Sequence, residues 1–593
     1  MRFRSIQKWN DLENSKNLLF FAQIVDELLF DFSLDTYKPS AMNPSILCNE
    51  AMLTIINIDE GVISRPNLTH ILDELHDQIS KDEVAQSLIS QDLGFTYKIL
   101  KDPGCTFEER KTLIGILLTQ LDIPQYKNKI EKLIEQSIID EQFSPSRIRA
   151  LARSYITTLI NFGYSQRHIN KASQNYFFYG ANTISGNNDI KVYFELFKST
   201  LKEYTLIYKA SKQIVSIKDS CIKLGIQVHE NTDGFGADFD QELFKLGENE
   251  VYISILKNSL DKYRARSLAD KDIEQALTVY KIFNHKEPIA ISSKCIIFDK
   301  DSESYSSSPA PINTMLKCSD SKSSVAAKKM NQFVPDFSLA HESFLKFHRA
   351  AELHSMALES RFEENQLINL WIALESIVPV KWEDKDISKI KHIVDSITPV
   401  LNINYFDTLM NNLLKDLIRW NRRELTHAVT GVQGTSLREK LTKIIALGIY
   451  KTKRERLEQQ FGDFHLLRDR FSFFVSAFSS PKTIGAMLEK HTQRVGWQIR
   501  RIYRARNMIV HSGKTPSFTN ILIENTHDYL DTIMKTTIKL STHNKKISSI
   551  QQAFMYSNIQ YSALIKWLSK KDTEFSDDNI NRIIGNPLAT NDF

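Results

Sequence analysis

The chain has 593 residues, of which 42% are hydrophobic, 25% charged and 10% aromatic, a globular balance that excludes disorder along its whole length. Its net charge of +5, from 76 Lys and Arg against 71 Asp and Glu, is too small for the whole molecule to act as a polyelectrolyte binder. No run approaches the ~20 apolar residues that cross a bilayer, the first residues lack the apolar centre of a signal peptide, and the five cysteines stand far apart with no C-x-x-C, which points to a soluble chain in a reducing cytoplasm.

Length predicts three or four domains at about 150 residues each. Scarce Gly (19) and Pro (15), between stretches rich in Leu, Ile, Lys and Glu, predict a mainly α fold. Residues 1–170 read as a helical N-terminal region: Leu68, Ile71, Leu72 and Leu75 share one face after Pro66, and Pro124 and Pro145 punctuate later helices. Residues 171–300 read as a small α+β middle domain. IKVYFELF, GIQVHE, EVYISIL and AISSKCIIF are its expected strands and ARSLADKDIEQALTVYKIF its helix. The spaced carboxylates of 233–240 lack the order of a calcium loop and read as a polar turn. Residues 301–334 are Ser-rich without apolar period and predict a linker. An all-α bundle follows over 335–545, with amphipathic stretches at 343–378, 386–418, 435–461, 483–511 and 520–541, and 546–593 read as a helical extension.

Charge is concentrated late in the chain. From Lys490 to Ile523 there is no acid, while Lys490, Arg494, Arg500, Arg501, Arg504, Arg506 and Lys514 add seven cations. Within that stretch stands Arg506-Asn507-Met508-Ile509-Val510-His511. Arg-x4-His occurs four times, at Arg65/His70, Arg349/His354, Arg422/His427 and Arg506/His511, so the spacing alone carries little. Only the last pair has an adjacent polar Asn507, a basic surround and a helix stop at Gly513. Ser512-Gly513-Lys514-Thr515 ends like a phosphate-binding loop, but Met508 stands where the first glycine belongs.

On a helix over 494–511, Val495, Ile499, Ile502, Ala505 and Ile509 form a buried stripe, with Arg500, Arg504, Asn507 and His511 opposite. Arg506 lies ~140° from His511, so one ideal helix does not bring those two together. A buried Arg506 needs a carboxylate, and Glu375, at the edge of the apolar arc of Leu367, Leu370, Trp371, Leu374 and Val378, is the expected partner. The other reading leaves Glu375 at a wet rim. His511 at a helix C-terminus favours imidazolium and so supplies a proton donor. With Asn507 and the arginines on a phosphodiester, a 2′-hydroxyl nucleophile would cleave RNA by acid–base chemistry without a metal. No His, Cys, Asp or Glu spacing suits a metal, so neither a metal nor another cofactor is expected.

Arg506, Asn507 and His511 in RNMIVH, Ser512-Gly513 after them and the upstream NLWIALESIVP resemble the HEPN superfamily, specifically its Apea-like group of bacterial defence proteins, over about 335–545. The resemblance implies an all-helical domain that cleaves RNA at a homodimer interface without a metal. Arg506 and Asn507 would polarise the phosphate and His511 would act as acid or base. Glu375 matches the place of a polar helper and Arg504 is the other supporting residue, while Arg494, Arg500, Arg501 and Lys514 would hold the RNA backbone. It further implies a cytoplasmic antiphage effector or toxin cutting tRNA or mRNA in abortive infection, its first 330 residues sensing a phage-derived trigger or regulatory partner. The alternative is a non-catalytic RNA- or protein-binding HEPN module acting as a scaffold in a defence complex.

Overall fold

The computed structural model describes residues 3–30, 42–140, 142–232, 235, 239, 244–317, 320–380, 388–543, 547–570 and 573–584. The chain is mainly α, with one small sheet among the described residues. It divides into two compact units, each assembled from separate stretches: Met1–Ser5, Asp11–Thr157 and Asn313–Phe593 form the larger, Ile6–Asn10 and Thr158–Ile312 the smaller. Helices read from sequence as belonging to an N-terminal region and to a C-terminal bundle therefore share one unit.

Local signals set the helix starts in the larger unit. Buried Asn43 accepts the Ile46 N–H at 3.1 Å and Pro44 opens the helix Pro44–Asp59, where a missing N–H costs nothing. Pro66 opens Pro66–Ile79, whose Leu68, Ile71, Leu72 and Leu75 are all buried. Pro124 lies in the first turn of Ile123–Ile139 and Pro145 begins Pro145–Phe162. The long helix Pro481–Ser512 starts with a capping box between Ser480 and Thr483 and stops at Gly513, whose φ of +62° suits a residue without Cβ. It packs against Pro66–Ile79 as well as against Glu363–Ile377, Lys389–Asn402, His465–Ala477, Thr519–His543 and Ile550–Leu568. Helices from both ends of the chain thus cover it.

The stretches 483–511 and 520–541 are single helices, Pro481–Ser512 and Thr519–His543. The stretch 343–378 breaks into His341–Glu359 and Glu363–Ile377, and 435–461 also divides, into Leu437–Ala446 and Lys451–Gln459. Helix His465–Ala477 escaped the sequence reading. Of the expected extension, Ile550–Leu568 is helical, while 585–593 lies outside the described residues.

The smaller unit is built on an antiparallel sheet of order β2-β3-β1-β4-β5, with β1 Lys202–Ser211, β2 Ile226–His229, β3 Glu250–Ser259, β4 Cys295–Asp299 and β5 Ser304–Ser308. Strand β1 pairs with β3 from Lys202↔Ser259 to Ser211↔Glu250 and with β4 from Tyr204↔Asp299. The helix Lys262–Phe283 lays Ala265, Ala269, Ile273, Ala276 and Leu277 over the apolar face made by Leu206, Tyr208, Ile253 and Ile255. Small alanines let helix and sheet approach closely. Trp9 joins this unit by bridging to Ile184 and donating from Nε1 to the Phe177 carbonyl at 3.0 Å.

Two sequence expectations fail here and one strand was missed. IKVYFELF is not a strand: Ile190–Phe194 is helical, because Ile190, Tyr193 and Phe197 are buried at helical spacing while Val192 and Leu196 stay 55% and 40% exposed. The central strand β1, KEYTLIYKAS, went unread. The Ser-rich linker 301–334 contains β5, whose side chains are exposed or partly buried up to Ser308, and the helix Ser323–Asp336. An edge strand held by backbone bonds to β4 needs no apolar alternation. Most of the polar turn 233–240 lies outside the described residues.

Candidate active site at the end of the long helix

The expected stripe of Pro481–Ser512 is in place: Val495, Ile499, Ile502, Ala505 and Ile509 are all buried. The opposite face is not the wet basic surface that was expected. Arg501 and Arg504 are 2% and 3% exposed, and they meet acids from the N-terminal helices. Glu50, on Pro44–Asp59, accepts from Arg501 Nε at 2.9 Å through one oxygen and from Arg504 Nε and Nη2 at 3.1 and 2.6 Å through the other. Glu74, on Pro66–Ile79, pairs with Arg501 Nη2, and Gln498 accepts from Arg501 Nη1 at 2.8 Å. Both arginines are taken up by these buried acids, which corrects the RNA-binding role expected of Arg501 and the supporting role expected of Arg504. The acid-free stretch takes its counter-charges from a segment more than 400 residues earlier. The sequence signal for this was present: Glu50 stands in an apolar run, PSILCNEAML, and Glu74 beside core Ile71 and Leu75.

Burial pulls the Glu50 carboxyl up in pKa, and the Arg501 and Arg504 guanidiniums more than reverse it, so Glu50 is held below the ordinary carboxylate value. At Glu74 burial also raises the pKa, and one guanidinium set against the neighbouring Glu50 charge does not offset it. On Pro66–Ile79, His70 is pushed down to about 4 by burial and by Arg500 and Arg504, so it stays neutral at neutral pH. The two carboxylates should give opposite pH signatures. Glu50 contributes stability that is full above its ordinary value of about 4.5 and is lost as pH falls through its lower folded value. Glu74 contributes stability that is full at low pH and fades as pH rises through its raised value. In urea titrations from neutral to acid pH, Glu50→Gln should therefore lose less relative to wild type as pH falls, and Glu74→Gln more. Parallel pH profiles for the two variants would contradict the assignment.

The expected Glu375–Arg506 pair is not made. Glu375 accepts from Trp371 Nε1 at 3.1 Å, one turn back on its own helix, and pairs with Lys389. Arg506 instead donates from Nη1 to Asn507 Oδ1 at 2.9 Å, while its Nε is buried with no hydrogen-bond partner among the described residues. The sequence reading assumed that a carboxylate must neutralise Arg506, but a half-buried guanidinium is served here by the neighbouring amide. Asn507 is buried and His511, one turn further on, is exposed in the last turn. Residues four apart share a helix face, so Asn507 and His511 are neighbours. Beyond them Ser512 Oγ donates to Asn57 Oδ1 at 3.4 Å, and Lys514 is exposed.

Of the other cations, Arg500 is half-buried with its Nε unpartnered among the described residues, and Arg494 is exposed. Arg494 precedes His511 by 17 residues, or ~25 Å along a helix, too far to hold the same phosphate. Asn507 and His511 thus share one face at the helix end, with Lys514 just beyond it, while Arg506 reaches Asn507 from the side of the helix away from His511, and Arg494, Arg501, Arg504 and Glu375 are engaged or placed elsewhere. Away from this helix end, His354, His527 and Asp531 come together in the larger unit, a grouping that the sequence spacing did not reveal. Their partial signal was His527-x3-Asp531, two ligand types one turn apart, and the third ligand lies far away in sequence. Comparisons with family models, with curated proteins and with solved structures return no match.

Proposed function

We propose that the chain is a metal-independent endoribonuclease acting in the cytoplasm, its site formed by Arg506, Asn507 and His511. The observation that carries this reading is the Arg506 Nη1–Asn507 Oδ1 bond at 2.9 Å, one turn from an exposed His511 at the helix end. In this chemistry the RNA 2′-hydroxyl attacks its own phosphate, His511 moves the proton, and the guanidinium and amide stabilise the charge that builds on phosphate oxygens. Lys514 offers a further cation at the same end. A second copy facing the first across a two-fold axis would bring a second set of these groups to the same RNA. Cleavage of tRNA or mRNA in this way would arrest growth, the outcome expected of an abortive-infection effector.

The test uses purified full-length protein with total tRNA and a long single-stranded RNA in EDTA. Wild type should cleave and leave 2′,3′-cyclic phosphate ends. His511→Ala should lose at least ~100-fold, since a general acid or base contributes 10²–10⁴-fold, with an unchanged circular dichroism spectrum. Equal cleavage by His511→Ala would remove His511 from the site. The burial of Arg501 and Arg504, which takes two cations from the phosphate-binding face, favours a second reading as a non-catalytic RNA- or protein-binding module. That module would bind RNA in a salt-dependent way and yield no product at any protein concentration.

A further inference from the structure

Two imidazoles and a carboxylate converge within the larger unit. His527 and Asp531 are one turn apart on Thr519–His543 and project from one face, and His354 reaches them from His341–Glu359. His354 Nε2 lies 3.5 Å and His527 Nε2 3.7 Å from the same atom, Asp531 Oδ1. The ring centroids are 4.8 Å apart, and one ligand atom from each residue lies within 4.8 Å of the others. Asp531 Oδ2 accepts from Lys535 Nζ at 2.8 Å, which leaves Oδ1 facing the histidines.

Hydrogen bonding does not account for this convergence. A nitrogen donor would close to about 2.7–3.2 Å of the carboxylate. Instead His354 Nε2 is buried with no hydrogen-bond partner, and His527, 4% exposed, has none among the described residues. The two nitrogen-to-oxygen separations, 3.5 and 3.7 Å, are slightly wider than the ~3.3 Å between neighbouring ligand atoms that bonds of about 2.0–2.1 Å set in a tetrahedron, a gap a small ion would close.

We propose that His354, His527 and Asp531 form a zinc site, with His354 Nε2, His527 Nε2 and Asp531 Oδ1 as ligands and a water in the fourth position. Two imidazoles select a borderline first-row ion over magnesium or calcium, which prefer all-oxygen sites. The His354 and Asp531 side chains are 20% and 29% exposed, so the fourth position can be reached by water or by an exogenous ligand. Lys535 holds the second carboxylate oxygen and fixes the direction of the first. A bound ion would tie His341–Glu359 to Thr519–His543. This inference does not depend on the ribonuclease reading, since none of its residues serves there.

The experiment strips full-length protein with chelator, adds back Zn²⁺ or Co²⁺ alone, and measures bound metal after gel filtration. Wild type should retain one zinc per chain, show the visible absorption of tetrahedral cobalt, and melt at a higher temperature with zinc than without. His354→Gln and Asp531→Asn alter partly exposed ligands and should fold, yet each should lose the cobalt bands and bind zinc at least ~100-fold more weakly. His527→Ala removes a buried ring and serves only as a third case. Wild type that holds no more zinc than these variants, or that shows octahedral cobalt alone, would overturn the site.

Discussion

Residues 313–593, expressed without the rest of the chain, are expected not to fold. The fragment keeps Pro481–Ser512 but loses Pro44–Asp59 and Pro66–Ile79, and with them Glu50 and Glu74. Arg501 and Arg504 would then stand without their carboxylates on a helix whose other faces are covered, and removing one partner of a single buried pair costs about 3–5 kcal/mol. The side of Pro481–Ser512 that packs on Pro66–Ile79 in the intact unit would be uncovered as well. The fragment should therefore elute in aggregates and show no cooperative urea transition, while co-expression with residues 11–157 should restore a soluble complex. A monodisperse fragment with a sharp transition of its own would refute the single-unit description. Assays of the RNMIVH site accordingly call for the full chain.

The second large effect is expected from one side chain. Glu50→Ala removes the acid that serves both Arg501 and Arg504, and leaves Arg504 with no carboxylate among the described residues. A loss of about 3–5 kcal/mol in urea titration is expected. Replacing the whole group together, as Glu50→Met, Glu74→Met, Arg501→Met and Arg504→Met, should recover most of it, because a buried ion cluster contributes little net stability over apolar side chains of similar volume. A Glu50→Ala variant within about 1 kcal/mol of wild type would mean that water reaches these guanidiniums.

What could be read from the sequence was what neighbouring residues decide among themselves. Val495, Ile499, Ile502, Ala505 and Ile509 declare their stripe by spacing, Pro66 and Pro145 declare helix starts, and Gly513 declares the stop, because each signal is local. The reading failed where distant partners decide. Opposite charge hid the second buried face of Pro481–Ser512: six positions of separation between Arg500 and Arg506 look like a solvated basic surface until Glu50 and Glu74 arrive. Strand β5 was unreadable because its order comes from β4 backbone, not from its own serines. The assignment of Glu375 to Arg506 failed because both found closer partners, Trp371 and Asn507. The zinc ligands were half legible, in His527-x3-Asp531, and needed the fold to supply His354.

The interrupted path of the chain sets a schedule for its synthesis. Glu50 and Arg501 are separated by 451 residues, so at roughly 5–20 residues per second the acid waits from about twenty seconds to more than a minute for its cation. The smaller unit has no such delay, since its last stretch ends at Ile312 while the larger still lacks nearly two thirds of its residues. A ribosome stalled near residue 340 would therefore carry a finished sheet and a set of N-terminal helices with their acidic, apolar faces open. Until Pro481–Ser512 emerges, those helices keep apolar surface open to solvent, and the helix end bearing His511 does not yet exist.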